Sequence, residues 1–328
     1  ESCFWLHRYL ERMESTARFL QVNRDFLLDV PVASGERWRP LLIVAGEEPR
    51  FEEMLGAEAM DDGEVVEEYM VWSPDNPSSI LASTREAREN ARTIREVISL
   101  EMWNQLNAHW VWLTGSGGKR LYRSQRRAFY DRCAQAAQLF RGVAHDGMLH
   151  EEPFDFMRLG MLLERAGQTA RILDVKYHAV GPTRPGEPES ALAYAHWSAI
   201  LRSCSATESF LKRGLRVEAG TVAEFLILDR SFPRSIRHCV DRCHNFLGRI
   251  RAGGPDEVGR ESWKRLLAIR GRLDDLTVEA ILQAGVHRVL TEIVDALADL
   301  GAAITGDYFD PPATLAGAVH HEEPLVDG

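Results

Sequence analysis

The sequence predicts an all-α protein, a helical bundle with an internal duplication and two pseudo-symmetric halves. Three observations predict it. Apolar residues recur at steps of three and four, sustained period-two alternation is absent, and one helical pattern occurs twice along the chain. Of the 328 residues, 45% are apolar and 27% charged, a globular composition long enough to bury a substantial core.

The elements follow in order. In the opening segment Cys3, Leu6, Leu10, Met13, Ala17 and Leu20 form the stripe of an amphipathic helix. Asn76-Pro77-Ser78-Ser79 reads as a helix start. The stripe after it, Ala87, Ala91, Ile94, Ile98 and Met102, predicts one helix over about 80–107. Phe156, Leu159, Leu163, Ala166, Ala170 and Leu173 mark another, and further helices are expected near 192–214 and 262–305. Gly115-Ser116-Gly117-Gly118 reads as a flexible loop rather than a phosphate-binding loop, because the glycine spacing is wrong. Breaks are also expected at Gly181–Gly186 and Gly253-Gly254-Pro255, and the chain after Asp310-Pro311-Pro312 is expected to fray.

The repeat is the most informative feature. ERMESTARFLQV at 11–22 returns as ERAGQTARILDV at 164–175. Trp38 with Leu41-Leu42 returns as Trp197 with Ile200-Leu201. Val66, Tyr69 and Pro77-Ser78-Ser79-Ile80 return as Val222, Phe225 and Pro233-Arg234-Ser235-Ile236. The three matches keep one order and are offset by 153 to 159 residues, which predicts a first helical repeat over 1–150 and a second over 151–310. The two are expected to pack as one globular unit, with 311–328 as a tail.

Charge and cysteines bound the function. A net charge of −10 disfavours nucleic acid as a partner. No apolar run approaches the roughly 20 residues of a membrane-spanning helix. The opening residues lack the pattern of a secretory signal, and five scattered cysteines read as reduced thiols. A cytoplasmic protein is expected.

On the first helix His7, Glu11, Glu14 and Arg18 share a polar stripe, flanked by Arg8 and Arg12. Its counterpart in the second copy is Gly160, Glu164, Gly167 and Arg171, with Arg165 beside it. Two glycines inside a helix cost about 1 kcal/mol each, which suggests a close helix approach or room for a ligand. The stripe has two readings. Either Glu11–Arg18 and Glu164–Arg171 are structural ion pairs or bond to loop backbones, or one or both glutamates line a cleft as general base, metal ligand or amine-binding group. Arg85, Arg88, Arg92 and Arg95 form a row that suits carboxylate or phosphate, with Asn90 nearby. The simplest alternative for that row is a structural network facing Glu11 and Glu14. Cys239 and Cys243 with His238 and His244 read as buried thiols and solvated histidines, so no metal site is expected.

The segment FWLHRYLERMESTARFLQV resembles the opening signature of the bacterial alpha-E family. NPSSI with REARENARTIREVISLEMWNQLN, and FLILDRSFPRSIRHC, resemble later stretches of it in the expected order. The resemblance implies motif positions at Arg8, Glu11, Arg12, Glu14 and Arg18, then Arg88, Glu89, Asn90, Arg92, Arg95, Glu101, Trp103 and Asn107. In the second half it implies Glu164, Arg165, Arg171 and the turn Phe232-Pro233-Arg234-Ser235. His7 departs from the pattern, which has a small residue there. The family accompanies, or is fused to, an ATP-grasp amidoligase of circularly permuted type, often beside a transglutaminase-like peptidase. The implied role is ATP-dependent peptide modification or synthesis of peptide-like metabolites. The ligase, not this chain, would hold ATP and Mg.

Two functions follow from that context. In one, Glu11, with Glu14, is the acid/base of a cleft that transforms the activated or ligated product. Arg12 and Arg18 orient the reacting groups with Asn90, and Arg8, Arg88, Arg92, Arg95, Glu164, Arg165 and Arg171 bind the substrate. In the other, the chain is a non-catalytic scaffold that stabilises the ligase or presents its peptide. A scaffold's stripes should be paired and closed, whereas an enzyme's should open into a pocket with unpaired groups.

Overall fold

The computed structural model describes residues 1–32, 37–180, 190–253 and 258–310, with backbone alone for 176–180. Among them are sixteen α-helices and no strand, so the protein is all-α. Gly181–Gly186 and the tail after Asp310 lie outside the described residues, as does most of the Gly253–Pro255 break.

Two long helices form the centre, α1 (Ser2–Asp29) and α9 (Glu152–Val180). The predicted stripes explain why they meet: Leu6, Leu10, Met13, Ala17 and Leu20 are at most 1% exposed, and Leu159, Leu163, Ala166, Ala170 and Leu173 are buried with them. Beside α1 pack α5 (Ile80–Thr93) and α8 (Arg126–Gly147). Beside α9 pack α13 (Ile236–Ala252) and α16 (Val286–Ile304). An outer helix then bridges each flanking pair, α6 (Leu100–Thr114) over α5 and α8, and α14 (Arg260–Asp275) over α13 and α16. Between α1 and α5 run α2 (Arg39–Ala45), α3 (Glu48–Leu55) and α4 (Gly63–Trp72). Between α9 and α13 run α10 (Ala191–Ser203), α11 (Thr207–Lys212) and α12 (Ala219–Leu228). The short helices cross over: α2 packs on α9 and α10 on α1. The remaining two, α7 (Ser116–Ser124) and α15 (Val278–Ala284), differ in their neighbours. One apolar core runs from Phe4 to Ile304.

Matched residues make matched bonds. Ser79 and Ser235 cap α5 and α13, accepting from Ala82 N at 3.0 Å and His238 N at 3.1 Å. Thr16 Oγ1 donates to the Ser78 carbonyl at 3.2 Å, and Thr169 Oγ1 to the Arg234 carbonyl at 2.9 Å. Each threonine thereby ties a central helix to the turn that starts a flanking one.

Two expectations are corrected. The segment 80–107 is not one helix: it turns at 94–99, and Ser99 caps a new helix by accepting from Met102 N at 3.2 Å. Ile98 before the new helix and Met102 within it are both buried in the core. Gly115–Gly118 is not a flexible loop either, because α7 starts at Ser116. A Cβ on Gly118 would lie 2.5 Å from the Leu113 carbonyl oxygen, so the glycine permits a tight junction with α6.

Candidate functional site

Where α1 crosses α9, the polar stripes of the two helices meet inside the bundle. Gly160 allows the approach: a Cβ there would lie 2.2 Å from the Phe4 carbonyl oxygen. Gly167 is different, since a Cβ there would meet nothing within 4 Å. The two glycines therefore divide the roles the sequence suggested, one a close approach and the other open room.

Glu11 is fully buried and takes arginines from three other elements. Arg165 on α9 grips it from Nε and Nη2, both at 2.8 Å. Arg234, in the turn before α13, donates at 2.8 Å, and Arg141 on α8 at 3.2 Å. Burial pushes the Glu11 carboxyl up, and the guanidiniums of Arg165, Arg234 and Arg141 together hold it well below the usual carboxylate range. Glu14 shares the donors: Arg18 reaches it at 2.6 Å, Arg234 at 2.9 Å and Gln138 at 3.2 Å, with Arg141 alongside. Burial opposes ionisation of Glu14 too, yet Arg234 and its neighbours keep its carboxyl depressed.

Glu164 mirrors Glu11 with the helices exchanged. Arg12 of α1 holds it from Nε at 2.8 Å and Nη2 at 3.1 Å, and Arg8 adds bonds at 3.0 and 2.9 Å. Gln168 completes the set at 3.2 Å. Burial is again overcome, here by Arg12 and Arg8, and the carboxyl sits far below its ordinary range. The expected same-helix pairs are thus corrected. Glu11 pairs with Arg165 rather than Arg18, and Glu164 with Arg12 and Arg8 rather than Arg171. Arg171 is half-buried, and burial pulls its guanidinium down. The reason is geometric: two crossing helices place each carboxylate against the other's arginine, within reach of a two-pronged grip.

The arginine row of α5 and the turn after it does not face Glu11 and Glu14, which is a second correction. Arg85 pairs with Glu86 at 3.0 Å, and Arg92 with Glu89 at 2.7 Å. Arg88 bonds Glu89 at 2.8 Å and Asn107 at 2.9 Å, while Arg95 lies 4.5 Å over the Trp103 ring. Asn90 donates to the Glu86 carbonyl at 2.8 Å. The acids come from α5 itself, on the outer side of the helix.

Sequence reasoning did not place Arg141 in the site, because α8 offers no paired motif; its only signal is an arginine beside a buried apolar stripe. It also missed Glu67, fully buried on α4, which holds Arg24 at 2.6 Å, Tyr130 Oη at 3.0 Å and Arg126. Burial wins there, and the Glu67 carboxyl is raised. Cys239 and Cys243 are buried, His238 Nδ1 bonds the Arg230 carbonyl at 2.8 Å, and no metal-holding cluster occurs among the described residues.

A family described as a predicted alpha-helical domain with a conserved ER motif, Alpha-E, matches residues 1–309. The chain belongs to the Alpha-E family. Two Glu-Arg pairs of this Alpha-E chain, Glu11-Arg12 and Glu164-Arg165, are the ones that exchange partners at the crossing. The chain is also similar to an uncharacterized protein of Mycobacterium bovis and two of Mycobacterium tuberculosis, each 24% identical over 337 residues. These matches cover 92% of this Alpha-E chain but 36% of each relative, so it spans about a third of their length. No solved structure matches it. No helix among the described residues is long and apolar enough to cross a membrane.

Proposed function

We propose that this chain is a non-catalytic helical module that works with an ATP-dependent ligase of the ATP-grasp type, stabilising it or presenting its peptide substrate. The observation that carries the reading is the closure of Glu11. An acid/base group must reach the reacting atoms and hold a proton near the working pH. The Glu11 carboxylate is fully buried, both its oxygens are taken by arginines, and its carboxyl is held well below the usual range. Such a group suits a structural lock. Glu14 and Glu164 are closed in the same way.

Other observations support the context. A segment like this one occupies only part of the longer mycobacterial chains, as expected of a module that serves another domain. The net charge of −10 favours a peptide over nucleic acid. ATP and Mg would stay on the ligase. The five free cysteines and an ATP-using partner fit a cytoplasmic setting. The matched caps, threonine bonds and packing order support descent of α1–α8 and α9–α16 from one duplicated unit.

The test reconstitutes the chain with an ATP-grasp ligase, ATP and a candidate peptide, at a temperature where circular dichroism shows every variant folded. Product should depend on the chain, and a folded, ligase-binding Glu11→Gln should give the wild-type mass at a similar rate. Loss of product with that variant would restore Glu11 as an acid/base. Equal product without the chain would remove the partnership.

A further inference from the structure

Not every arginine near the crossing is balanced. Arg18, Arg141, Arg165 and Arg234 already neutralise Glu11 and Glu14, and Arg158 and Arg242 come in addition. Arg158 lies two turns before Arg165 on α9 and is half-buried, yet it makes no ion pair among the described residues. Its one described hydrogen bond is a long contact from Nη1 to the Met161 sulfur at 4.0 Å. Arg242, exposed on α13, likewise has no carboxylate partner.

The two converge on one ring. The guanidinium carbons of Arg158, Arg242 and Arg249 lie 5.9, 5.4 and 4.6 Å from the centre of Phe246. Among the described residues only Arg249 of the three has a carboxylate, Asp155, at 2.9 Å. His7 is buried as well, 2% exposed. Burial, then the charges of Arg158 and Arg141, drive its imidazole down to about 3, so it is neutral. Burial and the guanidiniums of Arg165, Arg242 and Arg141 pull Arg158 itself down to about 10. A half-buried cation with no carboxylate partner among the described residues is costly on its own and is relieved by an anion.

We propose that Arg158 and Arg242 form a binding site for an oxyanion, a carboxylate or phosphate group that enters past exposed Arg242 and ends at Arg158. Guanidinium forks match the paired oxygens of either group. Phe246 supplies a flat apolar wall near both cations. The site is separate from the closed Glu11 network and does not rest on the ligase reading. It would hold the charged end of a peptide or of a phosphorylated intermediate.

The test compares the melting temperature of the full chain in sodium phosphate, sodium acetate and sodium chloride at equal ionic strength. The arginine Nε–Hε resonances are followed in the same titrations. A saturable rise with phosphate or acetate, beyond that with chloride, is expected, together with shifts of the Arg158 and Arg242 signals. Arg158→Gln should abolish the rise, and Arg242→Gln should weaken the affinity about tenfold. Arg50→Gln, exposed on α3, should respond like wild type. A response to phosphate alone identifies a phosphoryl ligand, and one to acetate alone a carboxylate. Equal effects of chloride, or an undiminished response in a folded Arg158→Gln, would overturn the site. If that variant does not fold, wild-type Arg158 and Arg242 signals that stay still in both salts would overturn it as well.

Discussion

Glu11 and Arg165 grip each other across the α1–α9 crossing through two bonds of 2.8 Å, and their sequence neighbours Arg12 and Glu164 repeat the grip in the opposite direction. Each helix thus supplies one acid and one base to the other, which fixes both the rotation and the register of the pair.

Breaking this lock should be expensive, and unequally so. Glu11→Gln strands guanidiniums that are 10 to 14% exposed, whereas Glu164→Gln strands Arg8 and Arg12, at 19% and 18%. Removing one partner of a buried ion pair costs about 3–5 kcal/mol. Glu11→Gln should approach that figure in urea unfolding, and Glu164→Gln should lose less. A wild-type midpoint for Glu11→Gln would refute the lock.

The two glycines of α9 should respond in opposite directions. Gly160→Ala must move the α1 backbone away and should be strongly destabilising, because a Cβ there would lie 2.2 Å from a carbonyl oxygen. Gly167→Ala has open room and should stabilise by up to about 1 kcal/mol through helix propensity. Thermal melts of the two variants decide it, and similar effects at both positions would contradict the geometry.

Acid should weaken the fold before the depressed carboxylates of the crossing titrate. His7 is held down to about 3 and His109 to about 4, chiefly by burial, whereas both take a proton in the unfolded chain below about 6.5. A base whose folded pKa is depressed loses stability as pH falls from its unfolded value toward its folded one. Glu11, Glu14 and Glu164 are also depressed, and they lose their contribution only as pH falls through about 4.3 and below. Between about pH 6 and 5 each buried histidine should therefore cost up to about 1.4 kcal/mol per pH unit. His7→Gln should remove one such share from the slope measured by urea unfolding. An unchanged slope would mean that His7 charges freely in the folded protein.

The threonine bonds to the capping turns should be worth similar amounts. Thr16→Val and Thr169→Val each remove one hydroxyl bond to a carbonyl, for a loss of about 1 kcal/mol. They tie different turns to different helices, so the losses should add in the double variant. A cost at only one of them would argue that the halves are not mechanically equivalent.

Much of this was legible in the sequence, for a physical reason. The apolar stripes of α1 and α9, and the serines that cap α5 and α13, are local features, because periodicity and capping depend on residues within a turn or two. Ser99 could also have been read as a cap, and the break near 94–99 found, had the unbroken apolar stripe not masked it.

The sequence alone determined an all-α chain with its polar residues gathered on the inner faces of two helices. Only the tertiary structure decided which residues pair. Spacing on one helix pointed from Glu11 to Arg18, but the arginines that reach Glu11 come from positions 130, 154 and 223 residues away. A buried carboxylate takes whichever donors the packing brings within about 3 Å, and that follows from how helices cross rather than from their order along the chain. The same crossing closed the glutamates away from solvent, and it left Arg158 and Arg242 without a carboxylate among the described residues.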